Sequence, residues 1–214
     1  MRVRPADDTI TIARLTSFSD GVFAIAVTLL VFNLKVPHIP AADVHRLLPG
    51  VIRDMVPMFL TYVVTFLIIG IYWTFHHRML NMVVRADGPF LWMNIWYLLA
   101  ISFIPFPTAL VGAYFREVTS FIFYIGSVIV VGAISATMLA YASGKRRLIK
   151  DSISAPMVKY LFFRQFTSIV VFLSAIPLAY FQLRLAQFYL FILFPVHWFT
   201  RGYFRKYAEG MEKK

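Results

Sequence analysis

The 214-residue sequence contains no cysteine and few charged residues. The absence of cysteine excludes disulfides, covalent haem attachment and cysteine-based metal sites. Only 14% of the residues are charged, whereas soluble domains carry about 25%. Hydrophobic residues make up 60% of the chain, and the mean hydropathy is +0.73. A soluble core of this size cannot hide so much apolar surface, so the composition predicts a protein embedded in lipid.

Six apolar stretches are candidates for helices that cross the bilayer, which takes about 20 residues. They are 16–36, 55–77, 89–111, 118–142, 157–181 and 186–199. The last is the weakest candidate because it is short and contains Pro195. The longest connections, 37–54 and the basic segment 143–156, are predicted as linkers. With no internal repeat, the sequence predicts a single all-α polytopic domain over residues 1–214.

Lys and Arg are distributed unevenly between the two sides of the predicted bundle. If the N-terminus is cytoplasmic, they are about threefold more abundant in the cytoplasmic segments than in the outer loops, as the positive-inside rule requires. Both termini are therefore expected in the cytoplasm, in agreement with an even number of helices. Anionic headgroups, rather than nucleic acid, then account for the net charge of +11 and for the basic segment 143–156.

All four tryptophans fall at predicted cytoplasmic helix ends. They are Trp73, Trp92, Trp96 and Trp198. Tryptophan is enriched at this level of a membrane because its ring is apolar and its N–H is polar. Interface anchoring is therefore the expected role of all four.

The first predicted helix carries a carboxylate, Asp20, inside an apolar span. Such a group costs about 2.5–3.5 kcal/mol on insertion scales, so it requires a partner, either Arg14 six residues earlier or a group on a neighbouring helix. The topology places Ser19, Asp20, His77 and Asn94 at one depth near the cytoplasmic face. We predict a hydrogen-bonded layer there, with a structural role in orienting the first helix. A proton relay or ion site is the alternative.

A stripe of side chains follows this carboxylate along the same helix. No charged residue occurs until Lys35, and Ile25, Thr28, Leu29 and Phe32 lie at positions i, i+3, i+4 and i+7 of one face. Periodicity alone favours helix packing as the role of this stripe. On that ground alone, a structural membrane protein would be the leading interpretation.

Three longer runs carry more information than periodicity. They are Arg14-x-x-x-Phe18-Ser19-Asp20-Gly21-Val22-Phe23-Ala24-Ile25-Ala26-x-Thr28-Leu29-Leu30-Val31, then Trp73-x-x-His76-His77-Arg78, then Asn94-x-x-x-x-Leu99-x-x-Ser102-Phe103-x-Pro105-Phe106-Pro107-Thr108. In this order they resemble the signature of the transmembrane protein 175 family of lysosomal potassium channels. Animal members are similar to two fused six-helix units. A single unit resembles the bacterial members, which are homotetramers of the cell membrane.

The resemblance implies a moderately potassium-selective channel, with potassium as the permeant ion and no cofactor or metal site. The first helix would line a central pore in a homotetramer, with Ile25, Leu29 and Phe32 as an apolar constriction and Thr28 as a polar ring. Phe32 departs from the family, whose outermost ring is usually aliphatic. The network that the resemblance implies at the cytoplasmic end consists of Arg14, Ser19, Asp20, His77 and Asn94.

Other classes of function are weighed against the channel. A secondary transporter is expected to show inverted repeats and helices broken near the midplane, and no second half of this chain mirrors the first. A proton-permeable channel would use the layer of Asp20 and His77. An enzyme is not expected, because His76 and His77 point to different helix faces and no second intramembrane acid lies nearby to complete a metal site.

Overall fold

The computed structural model describes residues 11–144 and 147–200, which are helical apart from short loops. The helices are α1 Ile12–Leu29, α2 Val44–Asp54, α3 Val56–Met82, α4 Gly88–Phe103, α5 Pro105–Ala113, α6 Val118–Ser143 and α7 Ala155–Tyr189. Short 3-10 helices occupy Leu30–Asn33, Ala41–Asp43 and Leu190–Ile192, and a last helical stretch covers 193–200. The all-α prediction is confirmed.

Five continuous segments are long and apolar enough to cross a membrane, and the last of them is 46 residues long. At about 1.5 Å per residue this is more than twice the thickness of the hydrocarbon core. The chain folds back at Gln182, whose backbone is extended at φ −155° and ψ 95°. Ser174 Oγ lies 3.0 Å from the Tyr189 hydroxyl, and Ser168 Oγ lies 3.0 Å from His197 Nε2. Contacts at these separations require two antiparallel arms, which supply the fifth and sixth crossings.

The predicted third helix is divided into α4 and α5. Pro105 and Pro107 have no N–H, so the regular hydrogen-bond ladder cannot continue through them. Ile104 N–H closes α4 by donating to the Ile101 carbonyl at 3.2 Å. The side chain of Asn33 reaches this break, and its Nδ2 donates to the Pro105 carbonyl at 3.1 Å. The break in α4–α5 therefore anchors the end of the first crossing.

The other helix bounds differ modestly from the predictions. The first crossing covers Ile12–Asn33 rather than 16–36, and α3 continues to Met82 rather than ending at residue 77. The stretch 37–54 is not a plain linker, because it contains α2. Leu48 and Ile52 lie on the exposed apolar face of α2, and Arg53 lies on its polar face. The pattern is that of an amphipathic surface helix.

Two loops at the same end of the bundle, 83–87 and 147–154, are joined by backbone hydrogen bonds. Val84 N–H donates to the Leu148 carbonyl at 2.8 Å, and Lys150 N–H donates to the Met82 carbonyl at 2.9 Å. Leu148 and Ile149 are buried. Part of the predicted basic loop 143–156 thus packs against protein, and its contact with headgroups stays a prediction for the exposed residues.

Asp87, Tyr141 and Arg147 hold the same loops together, and we call them the loop clamp. The Asp87 carboxylate accepts hydrogen bonds from Phe90 N–H at 3.1 Å and from the Tyr141 hydroxyl at 2.7 Å, and lies 3.4 Å from Arg147 Nε. The guanidinium also sits 4.7 Å from the Tyr141 ring centroid. Burial raises the pKa of Asp87, but these hydrogen bonds and the charge of Arg147 outweigh it, so the pKa lies below its usual value.

Several residues counted in the orientation argument lie outside the described part of the chain. They are Arg2, Arg4, Lys145, Arg146 and the basic residues of the tail 201–214. The even number of crossings within the described ranges places the two ends of the bundle on one side of the membrane.

Candidate functional site

One face of α1 is left uncovered by the other residues that the structure describes, and we call it the α1 face. Its exposed residues are Arg14, Ser17, Phe18, Gly21, Ala24, Ile25, Thr28, Leu29 and, in the 3-10 extension, Phe32. The opposite face, with Leu15, Phe23 and Ala26, is buried against the bundle. A transmembrane helix that is bare on one side meets lipid, another subunit or water there.

The α1 face carries several small residues. Gly21, Ala24 and Thr28 are small or hydroxyl-bearing, as is typical of surfaces where membrane helices approach one another closely. A methyl group built on Gly21 would meet no atom within 4 Å. The α1 face therefore has room for a neighbouring helix or an aqueous path.

The four residues predicted to line a pore all lie on the α1 face. Ile25 is 61% exposed, Leu29 42% and Phe32 74%. None of them is packed in the core of the protomer, so the stripe is not explained by packing within one chain. The hydroxyl of Thr28 lies 2.9 Å from the carbonyl oxygens of both Ala24 and Ile25, to which it donates.

Two members of the predicted polar layer are in direct contact. Asn94 Nδ2 on α4 donates to Ser19 Oγ on α1 at 3.2 Å, and both side chains are buried. Ser19 Oγ in turn donates to the Leu15 carbonyl at 2.9 Å. The structure thus links α4 to the backbone of α1 at this depth. The remaining amide oxygen, Asn94 Oδ1, is buried with no hydrogen-bond partner within the described ranges.

Asp20 has a partner that the sequence argument overlooked. Trp73 Nε1 on α3 donates to Asp20 Oδ1 at 2.8 Å. Within residues 11–144 and 147–200, neither Arg14 nor His77 makes a hydrogen bond or ion pair with Asp20. The His77 ring instead lies 5.6 Å from the Trp73 ring, centroid to centroid. Because Trp73 and His77 are four residues apart on one helix, their shared face was readable from the sequence.

The histidine of α3 whose imidazole is buried is His76, whereas the sequence analysis placed His77 in the polar layer. His76 is 1% exposed and stacks on Tyr97, with ring centroids 4.7 Å apart. Phe23 of α1 lies 5.8 Å from the His76 ring and 6.0 Å from the Tyr97 ring. This aromatic cluster packs against the buried side of α1 and holds the helix in position, with its other side exposed.

A groove of about 400 Å³ runs between α1 and α3 beside the α1 face. Asp20 and Trp73 lie at one end, and Ala24, Phe66 and Gly70 line the rest with three further apolar residues. The groove is continuous with the small residues of α1, so a side chain from outside the protomer can enter it.

Comparison with known proteins points to one family. Residues 14–105 match the family described as the endosomal/lysosomal potassium channel TMEM175. A potassium channel from a Chryseobacterium species is 31% identical over 176 residues, which are 80% of this chain and 84% of that relative. The chain belongs to the TMEM175 family. The resemblance drawn from the three sequence runs is thereby confirmed, and the family is one of channels rather than enzymes.

Two further TMEM175 relatives bear on the fold. A potassium channel from Streptomyces collinus is 41% identical over 104 residues, which span 49% of each chain, so the match covers about half of that relative. A solved homologue of the lysosomal potassium-selective channel TMEM175 from Chamaesiphon minutus has a TM-score of 0.74 at 28% identity. That similarity covers 85% of this chain and 93% of the homologue, and it supports the helical arrangement described above.

Proposed function

We propose that this chain is a subunit of a cation channel that conducts potassium passively across a membrane. The observation that carries the proposal is the α1 face, which is uncharged over residues 21–32 and uncovered in the protomer. Relatives named potassium channels support the permeant ion. We also propose a place in a bacterial cell membrane, which the bacterial relatives support. The distribution of Lys and Arg supports a cytoplasmic location for both termini.

A single α1 face cannot enclose an aqueous path, so the proposal requires several copies around one axis. Closed rotational symmetry brings identical faces together, and the family resemblance gives four copies. Gly21 and Ala24 allow the helices to approach closely at the cytoplasmic half of the path. We therefore propose a homotetramer in which each protomer contributes α1 to a central pore.

The proposed constriction consists of apolar rings from Ile25, Leu29 and Phe32. Rings of this kind gate by dewetting. An ion that enters such a ring gives up hydration water and finds no ligand on the protein to replace it. Little coordination is offered at such rings, so moderate selectivity and slow conduction are expected. The large exposed fraction of Phe32 supports its inclusion, although the family usually has an aliphatic residue there.

The layer at the cytoplasmic end is proposed to be structural rather than a proton path. Trp73 donates the hydrogen bond to Asp20, and an indole N–H cannot accept a proton and pass it on. Ser19 and Asn94 tie α1 to α4 in the same region. Arg14 and His77 stay part of the proposal through the resemblance.

Ile25→Asn is the variant that tests this proposal. The measurement is the flux of potassium and of sodium into liposomes that contain the variant, wild type or the control Ile25→Leu, which keeps an apolar side chain of the same size. Wild type is expected to pass potassium faster than sodium. The asparagine is expected to wet the constriction, which raises the flux of both ions and lowers the preference between them. If folded Ile25→Asn kept the wild-type flux and the wild-type preference for potassium over sodium, the proposal of a constriction on α1 would be wrong. No flux of either ion through folded wild type would remove the channel.

A further inference from the structure

The end of the bundle that carries the α7 break contains a crevice whose lining residues lie outside α1. It measures about 550 Å³ and lies between the start of α3, the loop after α5 and the second arm of α7. Four polar side chains line it, those of Arg116, Gln182, Arg184 and Gln187. Its remaining wall is apolar, with Pro57 and Leu60 on one side and Phe188 on the other.

A second, much smaller cavity of about 40 Å³ continues inward from this crevice. The two share Leu60, Phe115, Gln187 and Phe188 as lining residues. Apart from Thr61 and Gln187, the inner cavity is lined by apolar side chains. The pair therefore forms one slot with a polar, basic mouth and an apolar interior.

The charge at the mouth is of one sign. Arg116 and Arg184 line the crevice, and among the described residues no carboxylate lines either cavity. In the described part of the chain neither arginine forms an ion pair. The nearest acid in sequence, Glu117, lines a different pocket with Phe106 and Phe123. Two guanidinium groups over an apolar slot lack the anion that would complement them.

The position of Gln187 is fixed by the fold. Its Nε2 donates to the Phe115 carbonyl at 2.7 Å, which ties the second arm of α7 to the loop that carries Arg116. Arg184 lies three residues before Gln187, so the two project from neighbouring positions on that arm. This contact brings the backbone at Arg116 and the backbone at Arg184 to the same crevice, where both side chains are exposed.

We propose that this crevice binds an anionic membrane phospholipid. The guanidinium groups of Arg116 and Arg184 would hold the headgroup phosphate, for which their planar donor pairs are suited. An acyl chain would lie along the apolar wall of the crevice, against Pro57, Leu60 and Phe188. A lipid fits better than a free phosphate ion, because the basic mouth borders an apolar wall that a phosphate ion would leave uncovered.

The first experiment measures the melting temperature of the purified protein in a neutral detergent. Phosphatidylglycerol, phosphatidylcholine of the same chains, and inorganic phosphate are added separately. Phosphatidylglycerol alone is expected to raise the melting temperature. Equal stabilisation by phosphatidylcholine would overturn the role of charge. Equal stabilisation by inorganic phosphate would overturn the lipid assignment.

Variants assign the effect to the crevice. Arg116→Gln and Arg184→Gln are each expected to weaken phosphatidylglycerol binding about tenfold, as loss of one charge-assisted hydrogen bond does. The pair Lys35→Gln and Arg46→Gln removes the same charge from exposed positions elsewhere and is expected to leave binding unchanged. A variant that carries both Arg116→Gln and Arg184→Gln is measured as well. If it does not fold, the two single variants decide whether the crevice is the binding site. Wild-type affinity in both would overturn the site, whatever the flux assay shows.

Discussion

Asp20 illustrates how one side chain constrains the whole first crossing. A carboxylate inside the membrane requires a donor, and the indole of Trp73 supplies it across the α1–α3 contact. Loss of the carboxylate removes a contact that fixes the rotation of α1 about its own axis. That rotation decides which residues the α1 face presents to a neighbouring copy.

Asp20→Ala is expected to reduce folding and assembly more than permeation. The hydrogen bond from Trp73 is one to a charged group, for which about 1.5–3 kcal/mol is typical. Tetramer yield by size-exclusion chromatography and flux per folded channel separate the two effects. Asp20→Asn keeps an oxygen that accepts from Trp73 and is the matched control. Normal yield with altered pH dependence of flux would favour the proton path instead.

At the same scale, the sequence predicted some neighbours and not others. The period of α1 placed Ile25, Thr28 and Leu29 on one face correctly, because a helix has a fixed 3.6-residue turn. The period could not say whether that face was covered, since coverage depends on the other helices. His76 and His77 differ by one position, and the register of α3 against α4 decides which is buried. That register is set by packing against Tyr97, which the sequence does not display.

At the scale of elements, α6 and α7 pack closely against each other around Gly132. The Gly132 carbonyl accepts from Gln165 Nε2 at 2.8 Å. A Cβ on Gly132 would lie 3.1 Å from both Ile169 Cγ1 and the Tyr72 hydroxyl oxygen. The small residue therefore allows the two helices to approach, as in other membrane interfaces.

Gly132→Val is expected to destabilise the protein by about 1–3 kcal/mol, the usual cost of overpacking. The extra methyl groups would collide with Ile169 and Tyr72 and weaken the contact from Gln165. Gly126→Val on the same helix is the matched control, since nothing lies within 4 Å of a Cβ there. The difference in melting temperature between the two variants is the measurement. Equal melting temperatures would contradict the close contact at Gly132.

The loop clamp gives a pH-dependent prediction. Asp87→Asn keeps a side chain that caps α4 but removes the charge that attracts Arg147. Because the folded-state pKa of Asp87 is lowered, its contribution is complete above the unfolded-state value of about 3.9. It is lost as pH falls through the folded-state pKa. Wild type is therefore expected to melt higher than Asp87→Asn at neutral pH, with the difference vanishing at low pH.

The control for the clamp is Asp54→Asn, which removes an exposed carboxylate at the end of α2. Its melting temperature is expected to follow wild type across the same pH range. A difference between Asp87→Asn and wild type that persists unchanged below the folded-state pKa would show that the clamp does not act through the charge of Asp87.

The sequence predicted the helices whose length is set by the thickness of the hydrocarbon core. It missed the elements that lie between them. The helix bounds of α6 agree within one residue with the predicted 118–142, because the chain must stay helical across the hydrocarbon. α2 was missed because 37–54 is a connection between two apolar stretches, and Pro49 is accommodated inside the helix. The loop pairing through Leu148 was missed because it joins two distant segments.

At the scale of the whole molecule, the protomer is asymmetric in what it covers. Its aromatic cluster and polar layer lie on one side of α1, and the other side is bare. Hydropathy alone predicted the number of crossings, including the hairpin at Gln182. The assembly could not be predicted by hydropathy, since an apolar face toward lipid and one toward another copy have similar composition. Only the small residues of α1 and the family resemblance distinguish the two.

The hydroxyl of Thr28 gives the proposed pore a polarity of its own. Its single hydrogen is directed to the carbonyls of Ala24 and Ile25 in the same helix. What the side chain offers outward is therefore a pair of oxygen lone pairs and no donor. Four such side chains around an axis would form a ring of acceptors, which favours a partly dehydrated cation. Chloride would find nothing in that ring to bind, so anion exclusion would follow without any fixed negative charge.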